Sequence, residues 1–397
     1  MSASDGARCR SCGSGLLEVF HRQQGVPVHS CRLVRTRGEA QRFRTGTLTL
    51  AVCRECGFIG NTSFERAVQD YSIEYEETQA FSPRFQAFIR ELAEDWIERY
   101  DLHNKEILEL GSGKGEFLML LCALGPNRGT GIDPGVVPER VAGPGSERIT
   151  TIRDYYTDRY ADMSGDAVVC RHTLEHVDDV AGFLARIRRG IGDRRDVVLL
   201  FELPDVGRVL RETAFWDVYY EHVSYFSPGS LARLFRRSGF EVVGLSLAYD
   251  DQYILLEARP MSSPPGRSAP SQLEEEPEEQ VAAAARFHDS FEAVRAEWRT
   301  RLLALRERGD RAVLWGAGSK AVAFLAAVGA DVGVEYAVDV NPFKHGTYIA
   351  GAGQAVVGPE FLREHRPQLV VAMNEIYRGE IAAALRELGV DAELATV

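Results

Sequence analysis

Short apolar runs separated by amphipathic stretches fill most of the chain and set its predicted architecture. Residues 83–101 place Phe, Ile, Leu and Trp at helical spacing, which predicts a lead-in helix. From Glu106 onward, apolar runs at 107–110, 129–133, 167–170 and 197–201 alternate with helical segments. Strands at that spacing predict βαβ units and a largely parallel sheet. Two further runs, 240–245 and 252–257, lie close enough to predict an antiparallel pair closing that sheet. Between 258 and 279 the chain turns proline-rich and acidic, too polar to bury a core, which predicts a linker at 261–280. An amphipathic helix at 281–307 and a second strand series at 312–316, 336–339 and 369–373 follow. The predicted class is α/β, with two Rossmann-like halves at 66–260 and 281–397.

Composition narrows the function by exclusion. At 397 residues the chain has room for two or three domains. Its net charge of −12 argues against a general nucleic-acid surface, which needs a surplus of Lys and Arg on one face. There is no apolar run of 18 residues and no charged-then-apolar leader, so a cytoplasmic protein is expected.

Seven cysteines divide by spacing. Cys9-Arg-Ser-Cys12 and Cys53-Arg-Glu-Cys56 are two CxxC knuckles, each followed by glycine (Gly13, Gly57), whereas Cys31, Cys122 and Cys170 stand alone. Four thiolates in two such pairs match the tetrahedral shell of a structural zinc, so residues 1–65 are predicted to form a zinc-binding module. The long interval between the pairs predicts an inserted hairpin around residues 48–52. A closed four-thiolate shell leaves no open coordination position, so the metal is expected to be a staple. Disulfides or a redox dithiol are the competing readings, disfavoured by a reducing compartment and by the lack of a thioredoxin-like βαβ pattern.

The segment Glu109-Leu-Gly-Ser-Gly-Lys-Gly-Glu116 leaves a predicted strand and opens a predicted helix, where glycines let a ligand approach the backbone. Asp133, ending the second strand, is placed to accept hydrogen bonds from a ribose diol. Asp154 and Tyr155 are candidates for the adenine edge. Glu109, Gly111, Gly113, Gly115 and Asp133 together resemble the cofactor loop of class I S-adenosylmethionine (SAM) methyltransferases, which implies that the glycines cradle the methionine part. A dinucleotide fingerprint fits less well, because Glu116 stands where its third glycine belongs.

The chemistry is predicted downstream. His172 and His176 follow the strand at 167–170, at the carboxyl edge of the sheet, and would share a face if a helix began there. His172 is expected beside the cofactor, and Glu202 ends the next strand at the same edge. The run Tyr219-Tyr-Glu-His-Val-Ser-Tyr-Phe226 packs a histidine, a glutamate and three phenols into eight residues.

Taken in order, the CxxC pairs, the SAM-type loop, the Tyr-x-Glu-His-x-Ser-Tyr-Phe segment and a C-terminal half with Gly316-Ala-Gly318 and Asp339-Val-Asn-Pro-Phe-Lys344 resemble the sugar C-methyltransferase family. The resemblance covers nearly the whole chain and implies a nucleotide-linked 4-keto deoxysugar as acceptor. It implies His222 as base, Glu221 as its orienting or charge-pairing partner, and Tyr219, His176 and Tyr75 as further active-site groups. A neutral histidine suits the removal of a proton beside a carbonyl at physiological pH. Two positions depart from the family pattern: Tyr220 stands where histidine is frequent, and Tyr249-Asp-Asp-Gln-Tyr253 replaces a His-Gly-Gly-Ser-like run on the acceptor side. These departures leave open C- or O-methylation of a non-sugar intermediate, and a SAM-binding scaffold protein without turnover. In the C-terminal half Lys320 is a candidate for an anionic substrate group, and Asp339 stands where a dinucleotide fold keeps its ribose-binding acid.

Overall fold

The computed structural model describes residues 2–3, 6–68, 71, 74–261 and 270–397. The lead-in helix spans Pro83–Tyr100, capped by the Ser82 side chain and opened by proline at its first position. The central sheet has seven strands in the order Phe240–Ala248, Tyr253–Pro260, Val198–Pro204, Ala167–Arg171, Glu106–Leu110, Arg128–Ile132, Ile149–Ile152. Its first two strands form the predicted antiparallel closing pair, and the other five run parallel. A second, five-stranded sheet is wholly parallel, in the doubly wound order Ala355–Val357, Val334–Val338, Ala312–Trp315, Leu369–Ala372, Glu393–Thr396. Both Rossmann-like halves are present.

The N-terminal module is an antiparallel sheet built on the hairpin Leu17–Pro27 with Thr45–Cys53, followed by Ile59–Asn61. Its edge is completed from far along the chain. Ser224–Tyr225, inside the Tyr219–Phe226 run, pairs with Ile59 and Gly60. Alternation along Thr45–Cys53 then divides the core, since successive side chains of a strand point to opposite faces. Leu48, Leu50 and Val52 pack with Phe287 of the long helix and Phe324 of the C-terminal half. Ala51 and Cys53 pack with Phe201 and Phe235 of the central sheet. The module is therefore wedged between the two halves and shares a core with each.

Two expectations shift. The long helix runs Pro277–Glu307 and so begins inside the predicted linker, because a capping box between Glu276 and Glu279 and a proline at the first helical position start it a turn earlier. Of that linker, residues 262–269 lie outside the described residues. The second shift follows Cys170. Residues Leu174–His176 form a single 3-10 turn, and His172 takes a left-handed backbone with φ 46. His172 and His176 therefore do not share a helical face. No helix among the described residues is long and apolar enough to cross a membrane.

Candidate active site

One cleft of about 1040 Å³ runs along the carboxyl ends of the central strands and is walled on its far side by the C-terminal half. Its floor begins with the glycine loop, where Gly111, Gly113 and Gly115 all have positive φ (73, 53 and 81). A side chain at Gly111 would meet Thr173 Oγ1 at 1.9 Å, so the loop can pass the next strand only as glycine. Asp133 accepts from the Gly113 N–H at 2.9 Å and the Gly135 N–H at 2.6 Å, fixing the loop while each oxygen keeps a second lone pair. Glu109 Oε2, Ser112 Oγ and Glu77 Oε2 are buried without hydrogen-bond partners, and all three residues line the cleft. Burial pushes the Glu109 carboxyl up to about 8 and the Glu77 carboxyl to about 7. A bare glycine cradle beside the unpartnered oxygens of Glu109 and Ser112 fits SAM, which brings an ammonium, a ribose diol and a sulfonium charge.

Beyond the loop, two carboxylates enclose one histidine. His172 Nε2 lies 2.7 Å from Glu202 Oε1 and its Nδ1 3.7 Å from Glu175 Oε1, with the Tyr253 ring edge-on above it at 4.5 Å. Burial opposes its charge, but Glu202 and Glu175 prevail and raise it to about 9. Burial likewise works against the Glu202 carboxylate, which Arg171 and His172 hold down to about 2.

The acceptor side is the Tyr219–Phe226 run. His222 is buried, and its ring meets those of His176 at 4.8 Å and Tyr219 at 4.6 Å. Burial and the neighbouring His176 push it well below the usual histidine range. His176 Nδ1 is 2.7 Å from the Tyr71 hydroxyl and 3.2 Å from the Glu221 carbonyl oxygen. The Tyr219 hydroxyl donates to Asp217 at 2.7 Å. Cys9, Cys12, Cys53 and Cys56 form a separate cluster, with sulfurs 3.6 Å apart in the pairs Cys9–Cys56 and Cys12–Cys53. Tetrahedral zinc with bonds of about 2.3 Å sets its sulfurs about 3.8 Å apart, so the four thiols fit that ion.

Several predicted roles find a different geometry. The Glu221 carboxylate turns away from His222 toward the N-terminal module, where it meets His29 Nδ1 at 3.2 Å, the Ser30 N–H at 3.2 Å, the Ser30 hydroxyl, and the Tyr75 hydroxyl at 3.1 Å. Burial would raise it, but the His29 hydrogen bond together with His176 and Ser30 keeps it below the usual carboxylate range. Tyr75 thus contacts Glu221, while Tyr71, which the sequence did not single out, is the phenol on His176. Asp154 accepts from the Tyr160 hydroxyl at 2.6 Å and does not line the cleft, whereas Tyr155 does. Tyr220 also points out of the cleft, its hydroxyl accepting from the Glu65 N–H at 3.0 Å and its ring lying over Gly46. Lys320 is bonded to Asp217, and Asp339 is occupied by Lys344 at 3.3 Å and the Ala317 and Asn341 N–H groups at 2.8 and 2.9 Å.

Two family profiles and one relative agree with this arrangement. A family profile described as a methyltransferase domain matches residues 85–245, and one described as a C-methyltransferase C-terminal domain matches residues 256–392. The C-methyltransferase NovU of Streptomyces niveus is 27% identical over 312 residues, which is 74% of this chain and 72% of the relative. Among solved structures, the 1,6-didemethyltoxoflavin-N1-methyltransferase of Burkholderia thailandensis, with bound S-adenosylhomocysteine, is 15% identical, with a TM-score of 0.33 over 45% of this chain and 82% of that one. Magnesium protoporphyrin IX methyltransferase from Synechocystis PCC 6803 is 14% identical, with a TM-score of 0.35 over 44% and 83%. The sheet order and glycine loop define a class I SAM methyltransferase. The two profiles in tandem, with the likeness to a C-methyltransferase, support a SAM-dependent C-methyltransferase.

Proposed function

We propose that the protein methylates a carbon next to a ketone through an enolate, with His222 as base, and that the acceptor is a nucleotide-linked 4-keto deoxysugar. The observation that carries this reading is the buried His222 imidazole, which makes no hydrogen bond to any described residue and lines the same cleft as the glycine loop. Carbon attacks a sulfonium methyl only with carbanion character, so a proton must first leave the carbon beside the carbonyl. His222 takes that proton onto a ring nitrogen, and the electron pair of the C–H bond stays with the acceptor as enolate. His176 or a tyrosine hydroxyl donates to the developing oxyanion. Bound SAM supplies the methyl as an electrophile, its sulfur keeping the electron pair of the bond that breaks. Gly111, Gly113, Gly115, Glu109 and Asp133 hold the cofactor and Tyr155 borders its adenine, while Cys9, Cys12, Cys53 and Cys56 hold a structural zinc.

The sugar assignment rests on the family resemblance. One observation favours the second reading, a non-sugar acceptor: Lys320 and Lys344 on the C-terminal wall already serve Asp217 and Asp339, which leaves less positive charge there for a diphosphate. Both readings meet one experiment. Protein, SAM and a panel of nucleotide 4-keto sugars should give a product one methyl heavier on carbon, with solvent deuterium entering the same carbon before transfer. His222→Ala should abolish turnover with SAM affinity by calorimetry unchanged. Methylation of a hydroxyl would sink the enolate mechanism, and unchanged turnover by the alanine variant would sink His222 as its base.

A further inference from the structure

The turn Leu174–His176 is stitched to the run that carries His222. The Val223 N–H donates to the Glu175 carbonyl oxygen at 2.9 Å, and the Ser224 hydroxyl to the Val177 carbonyl oxygen at 3.0 Å. This brings a carboxylate oxygen of Glu175 and a ring nitrogen from each of His176 and His222 within 4.8 Å of one another, with no hydrogen bond among the three. Glu175 is 3% exposed, and its Oε2 is buried without a partner. A buried carboxylate oxygen left unpaired is costly unless something completes it. Two groups hydrogen-bonded to one oxygen at about 2.8 Å stand about 4.6 Å apart. One water, donating to the carboxylate, can therefore join all three side chains. Glu221, the other carboxylate near the histidines, is already committed to His29, Ser30 and Tyr75.

We infer that Glu175 is the positioning residue of the base: its carboxylate compensates the imidazolium that forms when His222 takes the acceptor's proton, acting through the histidine pair without touching the reacting carbon. This rests on His222 being the base. The groups facing His222 are His176 and His172 from the strand end, Asp217, Tyr219 and Tyr225 from its own segment, and Lys320 from the C-terminal half. His172 and Lys320 oppose a positive His222 and Asp217 favours it, while Asp217 is already shared between Lys320 and Arg208. Glu175 has a carboxylate oxygen within 4.8 Å of the pair and keeps one buried oxygen without a hydrogen-bond partner. An anion within about 4–6 Å raises the basicity of an imidazole, so removing it weakens the base.

The test is the pH dependence of kcat/KM in Glu175→Gln. The acid limb should move down by about one pH unit and kcat fall about tenfold, the effect of one unit of base strength, while SAM affinity stays within about twofold. Glu175→Asp keeps the charge, so its limb should stay near the wild-type position. A wild-type limb and rate in the glutamine variant would overturn the assignment. So would a limb in the aspartate variant as displaced as in the glutamine one, or a loss of SAM affinity equal to the loss of kcat. Turnover that needs an added divalent cation and stops with chelator would make the cluster a metal site instead, and equally overturn it. His222→Ala separates the levels: an active alanine variant defeats His222 as the base, whereas an inactive one beside a wild-type-like glutamine variant defeats only the role of Glu175.

Discussion

At the scale of single residues, His172 shows how charge holds a costly backbone. A non-glycine residue in the left-handed region costs about 1–3 kcal/mol and persists where its surroundings over-determine it. Here Glu202 and Glu175 grip both ring nitrogens. The histidine is raised from 6.5 to about 9, so its contribution to stability is complete below about pH 6.5 and is lost as pH rises through 9. Glu202 falls from 4.5 to about 2, so its share is complete above about pH 4.5 and is lost as pH drops through 2. Stability from this group should therefore plateau between about pH 4.5 and 6.5. Urea unfolding should show a loss on the order of 3 kcal/mol from pH 6 to 9.5 that His172→Gln removes, and an unchanged slope in that variant would contradict the account. Tyr220 makes a different point. Read along the chain it seemed to bear on the acceptor, but its ring fills the space over Gly46, where a β-carbon would stand 2.4 Å from it. Gly46→Ala should lower stability by about 1–3 kcal/mol in thermal unfolding and leave SAM affinity and acceptor KM unchanged.

At the scale of elements, the N-terminal sheet is part of the active-site wall, because the strand Ser224–Tyr225 adds to its edge two residues after His222. The cysteine knuckles and the glycine loop were legible in the sequence because their chemistry is local. A few residues at fixed spacing carry the whole signal. The edge strand was not legible, since two residues have no periodicity and the partner lies more than 160 positions away. The direction of Glu221 was hidden for the same reason, its partner Ser30 being 191 positions earlier. Pattern finds elements, but which face a side chain takes is settled by packing between them. The shared sheet predicts a shared fate. Cys53→Ser should lose one equivalent of zinc by metal analysis and reduce solubility, and hydrogen exchange should rise both in the knuckles and across residues 219–226. Protection retained at 219–226 in the metal-free variant would separate the two and contradict the coupling.

At the scale of the whole molecule, one strip of chain, residues 74–84, ties the three parts together. Backbone hydrogen bonds join Glu74 and Glu76 to Leu33 and Cys31 of the N-terminal module, Glu76 meets Arg140 at 2.6 Å and Asn341 at 2.9 Å, and Ser82 and Arg84 hold Glu380. The altered run at 249–253 closes the same seam. Tyr249, Asp250 and Asp251 all sit at positive φ (55, 53 and 56), a conformation suited to the glycines of the family pattern, and their run binds the C-terminal half. The Tyr249 and Tyr377 hydroxyls are 2.8 Å apart, and Gln252 and Asn374 exchange two amide hydrogen bonds of 2.9 and 3.0 Å. The substitution that appeared to alter the acceptor pocket thus also fastens its wall. Gln252 and Asn374 line the cleft and bond each other through their amides, not the glycine loop. Asn374→Leu leaves the buried Gln252 amide unpaired, at about 1–3 kcal/mol, Gln252→Leu frees the half-buried Asn374 amide at less cost, and each should raise acceptor KM with SAM affinity constant. The double variant removes both amides, so its cost should fall short of the sum by about 1 kcal/mol or more in a mutant cycle on unfolding free energy. Strict additivity would mean that the two amides do not hold the seam in solution, and that the C-terminal wall is set by the strip at 74–84 alone.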